Sequence, residues 1–136
     1  MHFWLIKSEP FKYSWDQLLE DKWTFWDGVR NYQARNNLKA MRVGDLCLYY
    51  HSNEGKEIVG VAEVIKAHYP DPTIDDDRWV AVDVKPINTL LNSVSLAMIK
   101  SDERLESMAL VRQGRLSVAP VTEDEYNIVM ELSENG

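Results

Sequence analysis

The pattern of apolar and polar residues predicts strands at the start of the chain and through its middle. Residues 3–7 are apolar and aromatic, and the Ser8-Glu9-Pro10 turn after them ends a first strand. From residue 46 onward, runs rich in β-branched and aromatic residues alternate with turn residues. These runs predict antiparallel strands over residues 46–51, 58–68 and 79–85. The acidic, proline-bearing segment 69–78 is expected to be an exposed loop at one end of the sheet.

Helix signals lie on both sides of these strands. Ser14 and Gln17 match a capping box, and Thr122 and Glu125 match another that opens a closing helix. The positions of that last helix that suit core burial are Tyr126, Val129, Met130 and Leu132. The remaining predicted elements are helices over residues 15–21, 31–41, 95–100 and 103–108, and a short strand over residues 115–118.

Together these elements predict an α+β fold in a single domain over residues 1–136. No internal repeat and no Gly/Ser-rich linker divides the sequence, so all elements are expected to pack around one core. We expect a mixed, mainly antiparallel sheet that curls, with short helices at its flank. A small β-barrel, or pseudo-barrel, is the favoured closure of that sheet.

Composition narrows the class of protein. With 45% hydrophobic and 27% charged residues, the chain has no apolar run near the roughly 20 residues that a membrane span needs, so no membrane association is expected. The N-terminal residues lack the pattern of a secretory signal, which predicts an intracellular, cytoplasmic location. Cys47 is the single cysteine, which agrees with a reducing compartment. We expect neither a metal nor a cofactor.

The net charge of -7 is unevenly distributed. Residues 1–45 contain seven Lys or Arg and six Asp or Glu, whereas residues 46–136 contain eight and sixteen. A protein that coats nucleic acid through its overall field needs a basic surface, so that mode of binding is not favoured. The first third of the chain can still form a local site for an anion.

Between Trp26 and Asn37 the chain is crowded with planar amide, guanidinium and aromatic side chains. Such groups bind nucleobases by stacking, by cation–π contact and by paired hydrogen bonds. Three further polar segments cover residues 7–10, 49–53 and 112–117. Binding sites are usually built from such segments at the ends of strands and helices. On composition alone an alternative stays open, in which Trp26 and Tyr32 are core aromatics and the asparagines only cap a helix.

A catalytic function is disfavoured by spacing. Glu9, Cys47, His51 and Ser52 are residue types that an acyl-transfer enzyme uses. On one strand, however, Cys47 and His51 would lie about 13 Å apart, and His51 and Ser52 would point to opposite faces. The sequence contains no Gly-x-Ser-x-Gly elbow, no His-Glu-x-x-His motif and no phosphate loop. A binding function is therefore favoured.

The order of these segments resembles the EVE domain family over nearly the whole chain. The run from Trp26 to Asn37 is the longest matching segment. The other matching segments are Trp4-Leu5-Ile6-Lys7-Ser8-Glu9-Pro10, Tyr50-His51-Ser52-Asn53, Gly60-Val61-Ala62-Glu63-Val64, Tyr69-Pro70-Asp71 and Arg115-Leu116-Ser117-Val118 with Pro120-Val121. The chain differs from the family pattern at Gly114, where a small polar residue such as Ser is expected before Arg115.

The resemblance implies a PUA-like fold related to YTH domains and a pocket that accommodates a modified base. A 5-modified cytosine in DNA is the leading candidate, and a modified RNA base is the alternative. We therefore predict a non-catalytic module whose partner is nucleic acid bearing a modified base. The predicted ligand-binding residues are Lys7, Ser8, Glu9, Trp26, Arg30, Asn31, Tyr32, Arg35, Tyr50, His51, Ser52, Asn53 and Arg115.

Within that hypothesis, Trp26 and Tyr32 line the pocket, while Asn31, Ser52 and Asn53 bind the polar edge of the base. The predicted contacts to flanking phosphate, or to the base itself, are Lys7, Arg30, Arg35 and Arg115. Two alternatives remain. One is an enzyme acting on nucleotides or modified bases with Glu9 or His51 as general acid or base. The other is a module that binds a small molecule or a protein in the same pocket.

Overall fold

The computed structural model describes residues 1–135 and contains one six-stranded mixed sheet. The strand order across the sheet is β2-β5-β4-β3-β1-β6. Neighbouring strands pair antiparallel except β1 and β3, which run parallel. The strands are β1 (Phe3–Ser8), β2 (Thr24–Trp26), β3 (Leu46–His51), β4 (Glu57–Pro70), β5 (Val80–Ser95) and β6 (Val118–Val121).

Short helices flank this sheet, and most begin at a side-chain cap. The helices are α1 (Trp15–Asp21), α2 (Tyr32–Ala40), α3 (Leu96–Ser101), α4 (Ala109–Arg112) and α5 (Glu123–Asn135), with a 3₁₀ turn at Glu103–Leu105. Ser14, Asn31 and Ser95 each accept a hydrogen bond from a backbone N–H in the first turn of α1, α2 and α3. No helix within residues 1–135 is long and apolar enough to span a membrane.

The sheet is curled but open, so the predicted closure as a β-barrel is wrong. Within residues 1–135 the edge strands β2 and β6 are not paired with each other. Instead α2 packs against both β5 and β6. The side-chain amide of Asn37 donates to the carbonyl of Val118 at 2.7 Å, which satisfies a group on the edge strand β6. A helix therefore covers the gap that a further strand pairing would have closed.

The core covers both faces of the central strands and is rich in aromatic residues. Leu5, Ile6 and Leu48 are fully buried on the central strands. Trp15 packs edge-on against Tyr49, with ring centroids 5.3 Å apart. In the closing helix, Val129 is fully buried. The other predicted core positions are partly buried against the core, namely Tyr126, Met130 and Leu132.

Several element boundaries differ from the sequence prediction. The strand expected over residues 79–85 continues to Ser95, and Pro86 is accommodated because the pairing of β4 with β5 shifts register between Val61 and Ala62. The strand expected over residues 115–118 lies at Val118–Val121. The short strand β2 was not predicted. The helix expected over residues 103–108 is limited to the 3₁₀ turn at Glu103–Leu105, and α4 begins beyond it at Ala109.

Candidate nucleic-acid interface

A large cavity opens between the end of β1 and the edge strand β2. It measures about 680 Å³, within the range of small-molecule pockets. Lys7 and Ser8 reach it from the end of β1, whereas Trp26 reaches it from β2 at the opposite edge of the sheet. The full lining is Lys7, Ser8, Lys12, Tyr13, Thr24, Phe25, Trp26, Asp27, Gly28, Val29, Arg30, Asn31 and Ser117. We call this cavity the main pocket.

Aromatic packing holds Trp26 at the base of the main pocket. Its ring lies edge-on to Tyr49, with centroids 5.4 Å apart, and edge-on to Tyr13 at 6.5 Å. Trp26 is only 8% exposed. Every buried polar side-chain atom within residues 1–135 has a hydrogen-bond partner, and the indole N–H of Trp26 forms no hydrogen bond in this range. That N–H is therefore not fully buried, and it is a candidate donor to a ligand because Trp26 lines the pocket.

The loop from Gly28 to Asn31 forms one wall of the main pocket and is held by Asp71. Burial alone would raise the pKa of Asp71, but hydrogen bonds from Thr73, Gly28 and Arg30 lower it to about 2. The backbone N–H of Gly28 and the guanidinium of Arg30 both donate to the same carboxylate oxygen at 2.9 Å. Gly28 has a φ of 75°, which favours glycine. This wall is thus fixed from the neighbouring loop 71–79.

Asn31 ends this wall and begins α2. Its side-chain oxygen accepts from the backbone N–H of Ala34 at 2.9 Å. The two N–H groups of the same amide form no hydrogen bond within residues 1–135, and the residue is exposed at the pocket. The cap therefore fixes the amide while leaving its donors available to a ligand.

Lys7 stands between the main pocket and a second cavity. Its ammonium donates to the carbonyl of Gly114 at 2.8 Å and lies 5.8 Å from the ring centroid of Tyr50. Burial lowers the pKa of Lys7 from its ordinary value. The second cavity measures about 270 Å³, and we call it the lysine groove. Its lining is Lys7, Tyr50, Ser52, Asn53, Lys56, Leu96, Lys100, Leu110, Val111 and Gly114.

The structure divides the predicted binding residues between these two cavities. Those in the main pocket are Lys7, Ser8, Trp26, Arg30 and Asn31. Those in the lysine groove, besides Lys7, are Tyr50, Ser52 and Asn53. The predicted residues that line neither cavity are Glu9, Tyr32, Arg35, His51 and Arg115.

Tyr32 and Arg35 form an aromatic cluster beside the main pocket. Tyr32 is 53% exposed and packs on Trp79 with ring centroids 5.1 Å apart. The guanidinium of Arg35 lies 4.9 Å from the Tyr32 centroid. Neither residue is part of the lining of the main pocket. Their contribution to binding stays a prediction.

Glu9 and His51 make contacts that stabilise the fold. Glu9 accepts from the side-chain amide of Asn53 at 2.7 Å. The Nε2 atom of His51 accepts from the backbone N–H of Trp15 at 3.1 Å, which satisfies the first turn of α1. Burial lowers the pKa of His51, against the opposing effect of Glu57 and Asp16. A neutral imidazole is required for this hydrogen bond.

The sequence prediction missed eight of the thirteen residues that line the main pocket. The lining residues that it did not select are Lys12, Tyr13, Thr24, Phe25, Asp27, Gly28, Val29 and Ser117. Tyr13 directly precedes the capping residue Ser14, and Ser117 directly precedes β6. Both positions lie at element ends, and this signal could have identified them. Val29 is an isolated apolar residue in a polar run, so it offered no such signal.

A curled mixed sheet with a pocket between its edges and short flanking helices is a PUA-like fold. The YTH domain of a Zygosaccharomyces rouxii protein shares it with a TM-score of 0.59 at 16% identity, over 98% of this chain and 86% of that one. At that identity the likeness concerns the fold alone. The chain belongs to the EVE domain family, whose model matches residues 2–132.

Relatives agree with this assignment along the whole domain. Thymocyte nuclear protein 1 of Mus musculus is 35% identical over 98% of this chain and 74% of its own length. A solved structure from Rhodopseudomonas palustris is 47% identical, with a TM-score of 0.94 over 99% of this chain and 94% of that one. The human THYN1 protein, solved in complex with DNA containing 5-methylcytosine, is 34% identical, with a TM-score of 0.93 over 98% of both chains.

Proposed function

We propose that this protein is a non-catalytic module that binds nucleic acid through a modified base held in the main pocket. The observation that most supports this function is the cavity of about 680 Å³, which combines an aromatic base with polar donors. A relative of nearly the same structure has been solved with DNA that contains 5-methylcytosine. We take 5-methylcytosine as the leading ligand and a modified RNA base as the alternative.

The pocket chemistry fits a base turned out of its stack. Trp26 and Val29 present apolar surface to the base, and the Trp26 N–H, the Asn31 amide and the Ser117 hydroxyl are placed to bind its polar edge. A stacked or apolar aromatic contact contributes about 1 to 3 kcal/mol per base. Turning the base out of its stack costs free energy, and this cost is lowest in single strands and at mismatches.

Selection for a methyl group follows from the apolar part of the lining. A C5-methyl is recognised by contact with apolar side chains, and Phe25 and Val29 supply such surface. One methyl group in an apolar pocket changes binding by about 1 to 3 kcal/mol, which is a factor of roughly 10 to 200. We therefore expect preference for the methylated base rather than absolute exclusion of the unmodified one.

Flanking phosphates are expected to contact cations at the rim of this pocket. Lys7, Lys12 and Arg30 line it, and Arg30 is held there by its ion pair with Asp71. Arg35 and Arg115, which the sequence also suggested, lie outside the lining and would contact the nucleic acid at a greater distance from the base. The acidic remainder of the chain gives little general attraction to phosphate, so unmodified strands should bind weakly.

The absence of catalysis is part of the proposal. Cys47 is fully buried, and burial raises the pKa of its thiol, so it is unsuited to act as a nucleophile. His51 and Glu9 line neither cavity and are engaged in hydrogen bonds to Trp15 and Asn53. The enzyme alternative predicts turnover of a modified nucleoside that His51→Ala or Glu9→Gln abolishes.

A binding titration separates these functions. Fluorescence anisotropy of a labelled oligonucleotide that carries one 5-methylcytosine is compared with the same oligonucleotide unmodified, with matched RNA and with free nucleosides. We expect tighter binding of a methylated strand and no chemical change in it. Product formation would support the enzyme, and binding of free nucleosides as tight as that of the oligonucleotides would support a small-molecule module.

We also propose that the protein acts inside the cell. Cys47 is a free, buried thiol, which a reducing compartment preserves, and the proposed ligand is nucleic acid. Cell fractionation with immunodetection tests this location. Recovery from the secreted fraction would contradict it.

A further inference from the structure

The lysine groove is a basic cavity on an acidic protein. Three lysines, Lys7, Lys56 and Lys100, line it, and no Asp or Glu does. A shallower cavity beside it shares Lys56 and Lys100 and also has no acidic residue in its lining. Because the whole chain has a net charge of -7, this concentration of uncompensated positive charge is unusual for its surface.

Three different segments bring these lysines together. Lys56 ends the turn between β3 and β4 with a φ of 48°, and its carbonyl accepts from the backbone N–H of Leu96 at 2.8 Å. This bond ties the turn to the start of α3. Lys100 lies in the last turn of the same helix, and Lys7 lies at the end of β1. The backbone N–H of Ser52 donates to the carbonyl of Ser8 at 3.0 Å, which fixes the turn against β1.

Among residues 1–135, none of the three ammonium groups forms an ion pair. Ion pairs within residues 1–135 involve other cations, namely Lys12, Arg30, Arg78, Lys85 and Arg104. Lys7 has only the carbonyl of Gly114 as a partner. The fold therefore holds three positive charges around one groove without a carboxylate among them, at an electrostatic cost that an anionic ligand would relieve.

The rest of the lining fits a sugar–phosphate chain. Leu96, Leu110 and Val111 line the groove together with the lysines, and Ser52 lines it as well. A nucleic-acid backbone likewise combines anionic phosphates with apolar sugar faces. Lys7 lines both this groove and the main pocket, so a strand whose base enters the pocket can continue past Lys7 into the groove.

We propose that the lysine groove binds the phosphodiester backbone of the strand whose base occupies the main pocket. The inference rests on the proposed function for its ligand and adds the path of the strand and the residues that contact it. Lys56 and Lys100 neutralise phosphates of that strand, whatever its sequence and modification. The groove thus contributes affinity, while the main pocket contributes selectivity.

The salt dependence of binding tests this path. The double variant Lys56→Gln/Lys100→Gln is compared with Lys39→Gln/Lys66→Gln, which removes the same charge from exposed lysines that line neither cavity. Anisotropy titrations use methylated and unmethylated DNA oligonucleotides of one sequence at several salt concentrations. Circular dichroism confirms that each variant is folded.

Loss of two phosphate contacts should reduce the slope of log K against log salt by about 1.4 on single strands and about 1.8 on duplex DNA. The groove variant should weaken both oligonucleotides equally and keep their affinity ratio. A slope equal to that of wild type, or a reduction no larger than in the control variant, overturns the groove. If the groove variant shows the expected reduction in slope but wild type does not prefer the methylated strand, the proposed function is overturned and the groove is not. If wild type shows no salt-dependent binding to either strand, both proposals are overturned.

Discussion

The carboxylate of Asp71 lies 2.9 Å from the guanidinium of Arg30, and Asp71 has no exposed side-chain surface while Arg30 is 36% exposed. The same oxygen accepts from the backbone N–H of Gly28. One buried acid thus fixes both the cation and the backbone of the pocket wall. The sequence suggested that the loop containing Asp71 is an exposed acidic segment, and for this residue that expectation is wrong.

Asp71→Asn should therefore loosen the pocket wall. Removing the charge weakens the bonds to Arg30 and Gly28 and is expected to lower the free energy of unfolding by about 1 to 3 kcal/mol. Affinity for a methylated oligonucleotide should also fall. Chemical denaturation and anisotropy measure the two effects. Asp76→Asn is the control, since it removes an exposed ion pair to Arg78 and should leave both quantities nearly unchanged.

The Asp71 carboxylate should also make stability depend on pH. Its pKa is about 2 in the folded protein against an ordinary value of 3.8. A depressed pKa gives stability that is complete above about pH 4 and is lost as the pH falls towards 2. Wild type should exceed Asp71→Asn by about 2 kcal/mol more at pH 5 than at pH 2. Urea titrations at these two pH values test this, and a constant difference would contradict it.

Gly60 permits the close approach of Trp15 to β4. A Cβ at position 60 would lie 2.3 Å from the Trp15 ring, and that ring is held by a hydrogen bond from its N–H to Thr89. Gly60→Ala should cost about 1 to 3 kcal/mol of stability through overpacking. Gly114→Ala is the matched control because a Cβ there meets nothing within 4 Å. Thermal denaturation of the two variants should separate them clearly.

Asn31 allows the helix cap to be separated from ligand contact. Asn31→Ser keeps an oxygen that can accept from Ala34 but lacks the amide donors, so stability should stay near wild type. Binding of a methylated oligonucleotide should weaken by roughly 2- to 12-fold, the value of one hydrogen bond. Asn31→Ala should lose about 1 kcal/mol of stability as well. Equal affinity of Asn31→Ser and wild type would show that the Asn31 amide does not donate to the ligand.

The sequence predicted those parts of the fold that depend on local pattern. The caps at Ser14 and Thr122 and the strand at Leu46–His51 follow from side-chain periodicity and hydrogen-bonding capacity. The open sheet could not be predicted in this way, because closure depends on whether β2 meets β6. In the structure α2 lies at this edge, and its Asn37 side chain donates to the carbonyl of Val118 on β6.

The sequence predicted which residue types form the candidate site better than it predicted how those residues are arranged. Trp26, Arg30 and Asn31 lie together because they are close in sequence, at the end of β2 and in the loop that follows it. The separation of Ser52 and Asn53 from that loop depends on how the turn after β3 packs against β1, and no local pattern records it. Tyr32 shows the same limit, since it packs on Trp79, which is far from it in the sequence, and does not line the pocket.

The preference for a methylated base, and its dependence on Trp26, tests the central claim most directly. Trp26→Ala and Trp26→Phe are compared with Trp23→Ala, which removes an exposed tryptophan outside both cavities. Folding of each variant is confirmed by circular dichroism.

Anisotropy then gives the affinity ratio between oligonucleotides with 5-methylcytosine and with cytosine. We predict that wild type and Trp23→Ala prefer the methylated strand by roughly 10- to 200-fold and that Trp26→Ala loses about 1 to 3 kcal/mol of binding. Equal affinity of wild type for both strands, or unchanged binding by folded Trp26 variants, would contradict the account.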